Sequence, residues 1–175
     1  MESLVLNLLI VMGNPNQGYH SSFADGHVSV NSSRTAHVSS LDLLFSTFPT
    51  MAEITTIAQQ FVQFYYSTFD SDRSNLSSLY RPGSMLTWEG TPIQSAASII
   101  EKLTSLPFSK VQHKVETLDA QPSSPTTPSI IVAVTGLLQV DDSPNPLQFS
   151  QTFHLIPDGG SYYVQNDIFR LNYGA

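Results

Sequence analysis

Beyond Pro107 the chain is written in β-branched and aromatic runs separated by turn chemistry, and this grammar restricts its fold more than any other feature. Residues 110–119 are followed by "QPSSPTTPS", 129–140 by "DDSPNP", and 147–157 by "DGG" before a last run over 161–173. Three short connections in series predict an antiparallel meander. "PDGG" at 157–160 is the strongest hairpin signal, because Asp-Gly and Gly-Gly accept the positive φ of tight turns. The run "IIVAVTGLLQV" is apolar at nearly every position, whereas a sheet with one wet face alternates. Both faces of that strand are therefore expected to be covered.

Ahead of the meander, helical spacing dominates. Ile54, Ile57, Ala58, Phe61, Phe64, Tyr65 and Phe69 recur at i, i+3, i+4 and i+7, with Gln59, Gln60 and Gln63 opposite. Asp72 is an N-cap candidate for a short second helix carrying Leu76, Leu79 and Tyr80, which Pro82-Gly83 is expected to stop. "MLTWEG" reads as an early strand with Leu86 and Trp88 on one face and Met85, Thr87 and Glu89 on the other, ended by Gly90 and Pro92. Ser95 is placed to cap a third helix containing Ile99, Ile100 and Leu103, which Pro107 terminates. The expectation is an α+β, cone-like fold: three N-terminal helices packed on a strongly curved, mainly antiparallel sheet. Three short helices cover one face only, so the other is expected to bury itself against a second copy, giving a homodimer through the sheet face.

Residues 1–50 do not follow this pattern. They hold one arginine and three acids among many Ser, Asn, Gly and His, and after "LVLNLLIVM" they carry no sustained period. A secretory signal is disfavoured, because Glu2 stands where a basic start belongs and no small-x-small cleavage site follows. The reading is a low-order extension over 1–50, with Met51 the expected functional start of one domain over 51–175. Seven basic residues against 14 acids give a formal charge of −7, which argues against a phosphate backbone as partner. No apolar run approaches the roughly 18–20 residues that would span a bilayer.

Candidate acid–base residues are Tyr65, Tyr66, Glu89, His113 and Asp167. Alternation places His113 with Val111 and Val115, which suits a core or interface histidine better than a base. There is no metal-ligand spacing, phosphate-cradling glycine loop or nucleophile elbow, so no metal or cofactor is expected. A cone-fold enzyme or ligand carrier, isomerase-like or dehydratase-like and using an apolar cavity, is the alternative reading. The acids are more informative. Asp141 and Asp142 precede Ser143-Pro144-Asn145-Pro146, and Glu89 follows the sole tryptophan, Trp88. If these strand ends are neighbours, they frame an apolar hole rimmed by negative charge. Such a hole would take an aromatic side chain flanked by lysine or arginine, an anchor worth about 2–4 kcal/mol.

Three stretches carry a family resemblance: "AQQFVQFYYSTFDSDRSNLSSLYRPGSMLTWEG", "IIEKLTSLPFSKVQHKVETLDAQPSSP" and "LLQVDDSPNPLQFSQTFHLIPDGGSYYVQNDIFRLNY". Over 52–175 the chain resembles the nuclear transport factor 2 family in its fungal form. The resemblance implies a non-enzymatic, homodimeric, cone-shaped carrier. It would bind the GDP form of the small GTPase Ran and take it through nuclear pores into the nucleus, touching Phe-Gly repeat nucleoporins weakly. It would reside in cytoplasm and nucleus, enriched at the pore. It also implies that Trp88 and Phe169 line the mouth of the cone, that Glu89 and Asp141 supply charge with Asp142 in support, and that Leu106, Val111 and Leu138 belong to the cavity wall. The chain departs from the family's pattern at two places. Ser143 stands where members often carry a third acid, and Ile54 where an aromatic commonly grips Phe-Gly repeats.

Overall fold

A computed structural model of the chain describes residues 48–108, 110–141 and 143–172. Apart from its last three residues the expected extension over 1–50 lies outside the described residues, and so does Asp142.

Thr50 opens the first helix, α1 (Met51–Ser71), with a reciprocal cap. Its hydroxyl accepts the Glu53 N–H, and the Glu53 carboxylate accepts the Thr50 N–H at 2.7 Å. The apolar stripe of α1 buries Ile54, Ala58, Phe61, Val62, Tyr65, Tyr66 and Phe69. Asp72 then caps the next segment by accepting the Ser74 N–H at 3.0 Å. That segment is a 3-10 helix, η1 (Arg73–Leu79), whose tighter winding suits a run of seven residues.

One expected stop turns out to be a strand interior. Tyr80 is not the end of the second helix but the start of β1 (Tyr80–Trp88), which contains Pro82-Gly83. The pairing of β1 with its neighbour jumps there, from Tyr80↔Val164 to Met85↔Asn166, so a proline removes no ladder bond. The early strand does end at Trp88, ahead of Gly90 as expected, but Pro92 lies inside a further strand. A Glu89-Gly90 turn reverses the chain into β2 (Thr91–Gln94), an edge strand paired from Trp88↔Thr91 to Met85↔Gln94. Ser95 caps the third helix, α2 (Ala96–Thr104), through the Ser98 N–H at 3.3 Å, as its position implies.

The meander follows as β3 (Val111–Pro122), β4 (Ile130–Val140), β5 (Leu147–Asp158) and β6 (Ser161–Leu171). The six strands lie in the order β2-β1-β6-β5-β4-β3, all neighbours antiparallel except β1 with β6. Register breaks at Val115/Thr117 and His154/Leu155 insert extra residues, the device that curls a sheet around its contents. Between the two sides of that curl Gly136 is obligatory, because a Cβ there would sit 2.3 Å from the Lys114 carbonyl oxygen. The result is the expected α+β cone, with helices packed into the concave side.

Burial along β4 alternates although its sequence does not. Ile130, Val132, Val134 and Leu138 are buried inward, whereas Ile131 on the convex face is 43% exposed. Within one chain the helices cover only the concave side.

Candidate functional site

The parallel register of β1 and β6 assembles the site. It sets Trp88 opposite Phe169, and their rings stack face to face at 4.1 Å. Phe149 of β5 continues the series 5.8 Å from Phe169, and Phe69 of α1 lies nearly parallel to the indole at 6.4 Å. On the side of α1, the Arg73 guanidinium lies over the rings of Phe69 and Phe108 at 5.1 and 4.5 Å, and donates to the carbonyls of Leu103 and Phe108. A cleft of about 210 Å³ opens there, lined by Phe69, Asp70, Ser71, Asp72, Arg73, Thr104 and Phe108. Phe69 belongs both to this cleft and to the aromatic group around Trp88.

Glu89 and Asp141 flank the same end of the sheet. The pairs Trp88↔Phe169, Phe149↔Leu171, Leu138↔Leu147 and Val111↔Val140 carry that end across five strands. Glu89 leaves β1 and Asp141 leaves β4, three strand spacings apart, or about 14 Å along the sheet before its curl shortens the gap. Glu89 does not continue the alternation of β1; it is a turn residue at φ 49°. Its carboxylate accepts the Leu171 N–H at 2.5 Å. Asp141, at φ 46°, accepts the Lys110 N–H at 2.9 Å and donates its own N–H to the Lys110 carbonyl. Both acids hold the left-handed conformation that residues with a Cβ rarely adopt, and each bonds backbone at the end of another strand, Leu171 closing β6 and Lys110 just ahead of β3. Burial lowers the Arg73 pKa from its ordinary value, while the charges of Asp70 and Asp141 push the other way.

Of the remaining expected site residues, Leu106, Val111 and Leu138 are core side chains at 9, 5 and 4% exposure. Ile54 is corrected from a surface contact to a buried one: at 2% exposure it sits on the inward stripe of α1 and has no apolar area to offer. His113 is a positioned core histidine. Its ring is stacked on Tyr66 at 4.5 Å, and Nδ1 lies 2.6 Å from Asp70 Oδ1. Phe69, Asp70 and Arg73 were not singled out as site residues, because their spacing shows only a helix face and a cap.

Deeper in the cone lies a second polar group. Asp167, 1% exposed, accepts from Tyr80 Oη at 2.8 Å, Gln151 Nε2 at 2.7 Å and Tyr65 Oη at 3.3 Å. Tyr66 Oη donates to Gln151 Oε1 at 2.9 Å, which fixes the amide. Burial raises the Asp167 pKa to about 6, and the three hydrogen bonds hold it below what burial alone would give. A carboxyl among phenols is the arrangement sought for acid–base chemistry, but its acceptors are taken up by the protein's own donors.

Residues 57–171 match the Nuclear transport factor 2 (NTF2) domain family. Nuclear transport factor 2 of Candida glabrata is 61% identical over 123 residues, spanning 70% of this chain and 98% of that one. That of Saccharomyces cerevisiae is 60% identical with the same coverage. Among solved structures, nuclear transport factor 2 from Cryptosporidium parvum superposes with a TM-score of 0.66 at 45% identity, covering 72% of this chain and all of that one.

Proposed function

The chain belongs to the nuclear transport factor 2 family, and from that premise we propose that it binds Ran in its GDP form and carries it through nuclear pores into the nucleus. One observation carries this reading. Trp88, Phe169 and Phe69 form an apolar group at the end of the sheet that Glu89 and Asp141 flank with negative charge. An aromatic side chain from the cargo would seat against Trp88, the half-buried member of the group, with the buried rings of Phe169 and Phe69 backing the indole, and cationic neighbours would meet the two carboxylates. Selectivity for the GDP form would lie in the cargo, whose nucleotide-dependent loop displays or withdraws that aromatic. The net charge of −7 favours encounter with a basic surface.

Passage through the pore would rest on weak contacts with Phe-Gly repeats. With Ile54 buried, the apolar area still open on α1 is Met51, 56% exposed, and the half-buried Ile57 and Phe64. Weak contacts suit rapid transit, since dissociation sets residence time. Two copies would pair through the convex sheet face, giving two docking ends per carrier.

Glu89 tests the reading, but its carboxylate also holds the Leu171 N–H, so charge and structure must be separated. Glu89→Gln keeps an acceptor oxygen for that bond and removes the charge; Glu89→Lys reverses it. Titration calorimetry with Ran-GDP should show affinity falling at least tenfold for glutamine and beyond detection for lysine, with unchanged circular dichroism for both. Wild-type affinity in the glutamine variant would remove Glu89 from the docking site.

A further inference from the structure

The β4–β5 loop carries a sequence element that docking alone does not use. Ser143 is followed by Pro144, then Asn145 and Pro146, and all four are exposed. We propose that Ser143 is a phosphorylation site for a proline-directed serine/threonine kinase, and that its phosphate strengthens the negative rim beside Asp141. The role of the phosphate rests on the cargo reading above.

Four Ser/Thr-Pro pairs occur among the described residues, and the structure separates them: Thr91, before Pro92, is exposed but lies in the β2 ladder, paired with Trp88. Ser124, before Pro125, is half-buried, and its hydroxyl oxygen accepts the N–H groups of Thr126 and Thr127. Thr127, before Pro128, is half-buried too, and its carbonyl is held by the Ser129 N–H at 2.7 Å. Ser143 alone of the four is both exposed and outside a strand. Its hydroxyl donates to the Asn145 carbonyl at 3.2 Å, its N–H donates to the Val140 carbonyl at 3.1 Å and its carbonyl accepts from Gln139 Nε2, bonds that the segment exchanges for water or kinase backbone when it opens into a groove. Pro144 biases Ser143 away from helical geometry toward the extended form such a groove takes, and Pro146 keeps the segment from joining a ladder.

In the transfer, Ser143 Oγ attacks the γ-phosphorus of ATP. The new Oγ–P bond forms as the bond to the ADP oxygen breaks, and the hydroxyl proton passes to a carboxylate of the kinase. The product places a charge of about −1.5 to −2 two residues from Asp141, at the sheet end that also bears Glu89. Added to the charges of Glu89 and Asp141, it brings close to a doubling of the rim charge facing a cationic partner. Its main effect should fall on the encounter rate, and salt should screen it.

The test incubates the full chain with ATP and a proline-directed kinase, maps phosphate by fragmentation mass spectrometry, and measures Ran-GDP association by stopped flow at several salt concentrations. The expected result is one phosphate at Ser143, absent in Ser143→Ala. Association should be roughly three- to tenfold faster at low salt, converging with the unmodified chain at high salt. Ser143→Asp should give a smaller increase in the same direction. Phosphate on Thr91, Ser124 or Thr127 with none on Ser143 would overturn the site. Modification of Ser143 with Ran-GDP binding unchanged or slowed would overturn its role. Modification with no Ran-GDP binding by either form would instead overturn the cargo reading, leaving the phosphorylation site intact.

Discussion

At the scale of single residues, Asp167 sets the most specific expectation. Its folded pKa of about 6 lies above the 3.8 of an ordinary aspartate, because burial disfavours the carboxylate. The folded chain therefore binds a proton across a pH window where the unfolded chain does not. Stability from this group rises as pH falls through about 6 and levels off below the unfolded value near 4. The gap of about two units corresponds to about 3 kcal/mol between the ends of the window. Asp167→Asn removes the titration while keeping the shape, so the difference in Tm between wild type and variant should change steadily from pH 7 to pH 4.5, moving in wild type's favour. Parallel curves would show that the carboxylate does not titrate there. Asp167→Ala should be worse at every pH, costing about 3 kcal/mol or more, since it strands buried donors of Tyr65, Tyr80 and Gln151.

At the scale of elements, two positions test why the helices and strands lie where they do. Thr50 precedes Met51, the expected functional start, yet its hydroxyl and N–H form half of the capping box of α1. Thr50→Ala should cost about 1 kcal/mol in urea denaturation, and a chain begun at Met51 should lose a similar amount. Gly136→Ala should cost about 2–3 kcal/mol, because its methyl group meets the rigid Lys114 carbonyl and the Phe149 ring. These elements also show what could be read in advance. Caps at Asp72 and Ser95 were legible because their chemistry is local, an oxygen and an N–H a few residues apart. The meander was legible for the same reason, its turns being written in Gly, Pro and Asp. The start of β1 and all of β2 were not, since Pro82-Gly83 and Gly90 with Pro92 carry the same signal in a loop as at a strand irregularity or an edge. The Trp88–Phe169 stack depends on a parallel pairing across 81 positions that no local pattern specifies. The approach of Glu89 and Asp141 to one sheet end inherits that limit, so only the resemblance, and not their spacing, placed them together.

At the scale of the whole molecule, the question is what covers the convex face. Ile168, 50% exposed, pairs across the sheet with Thr152, which pairs with Ala133, and Ile131 lies one row further along β4 at 43%. Such a face, with Ile168 on β6 and Ile131 and Ala133 on β4 to either side of Thr152 and covered by none of the described helices, suits a two-fold contact in which the same patch meets itself. In that symmetry each substitution is felt twice. Ile168→Asp buries two carboxylates per dimer, and at about 2 kcal/mol each the dimer should weaken by roughly a thousandfold. Sedimentation equilibrium should then report the mass of two chains for wild type and of one for the variant at micromolar concentration. A wild type that sediments as one chain at that concentration would refute the pairing. Because Ile168 is already half-exposed in the single chain, the variant should remain folded. Its neighbour Phe169 points to the opposite face, with the docking rings, so the dissociated chain should still bind one Ran-GDP with affinity within a few fold of wild type. Loss of that binding together with the dimer would mean that the docking end is completed by the second copy.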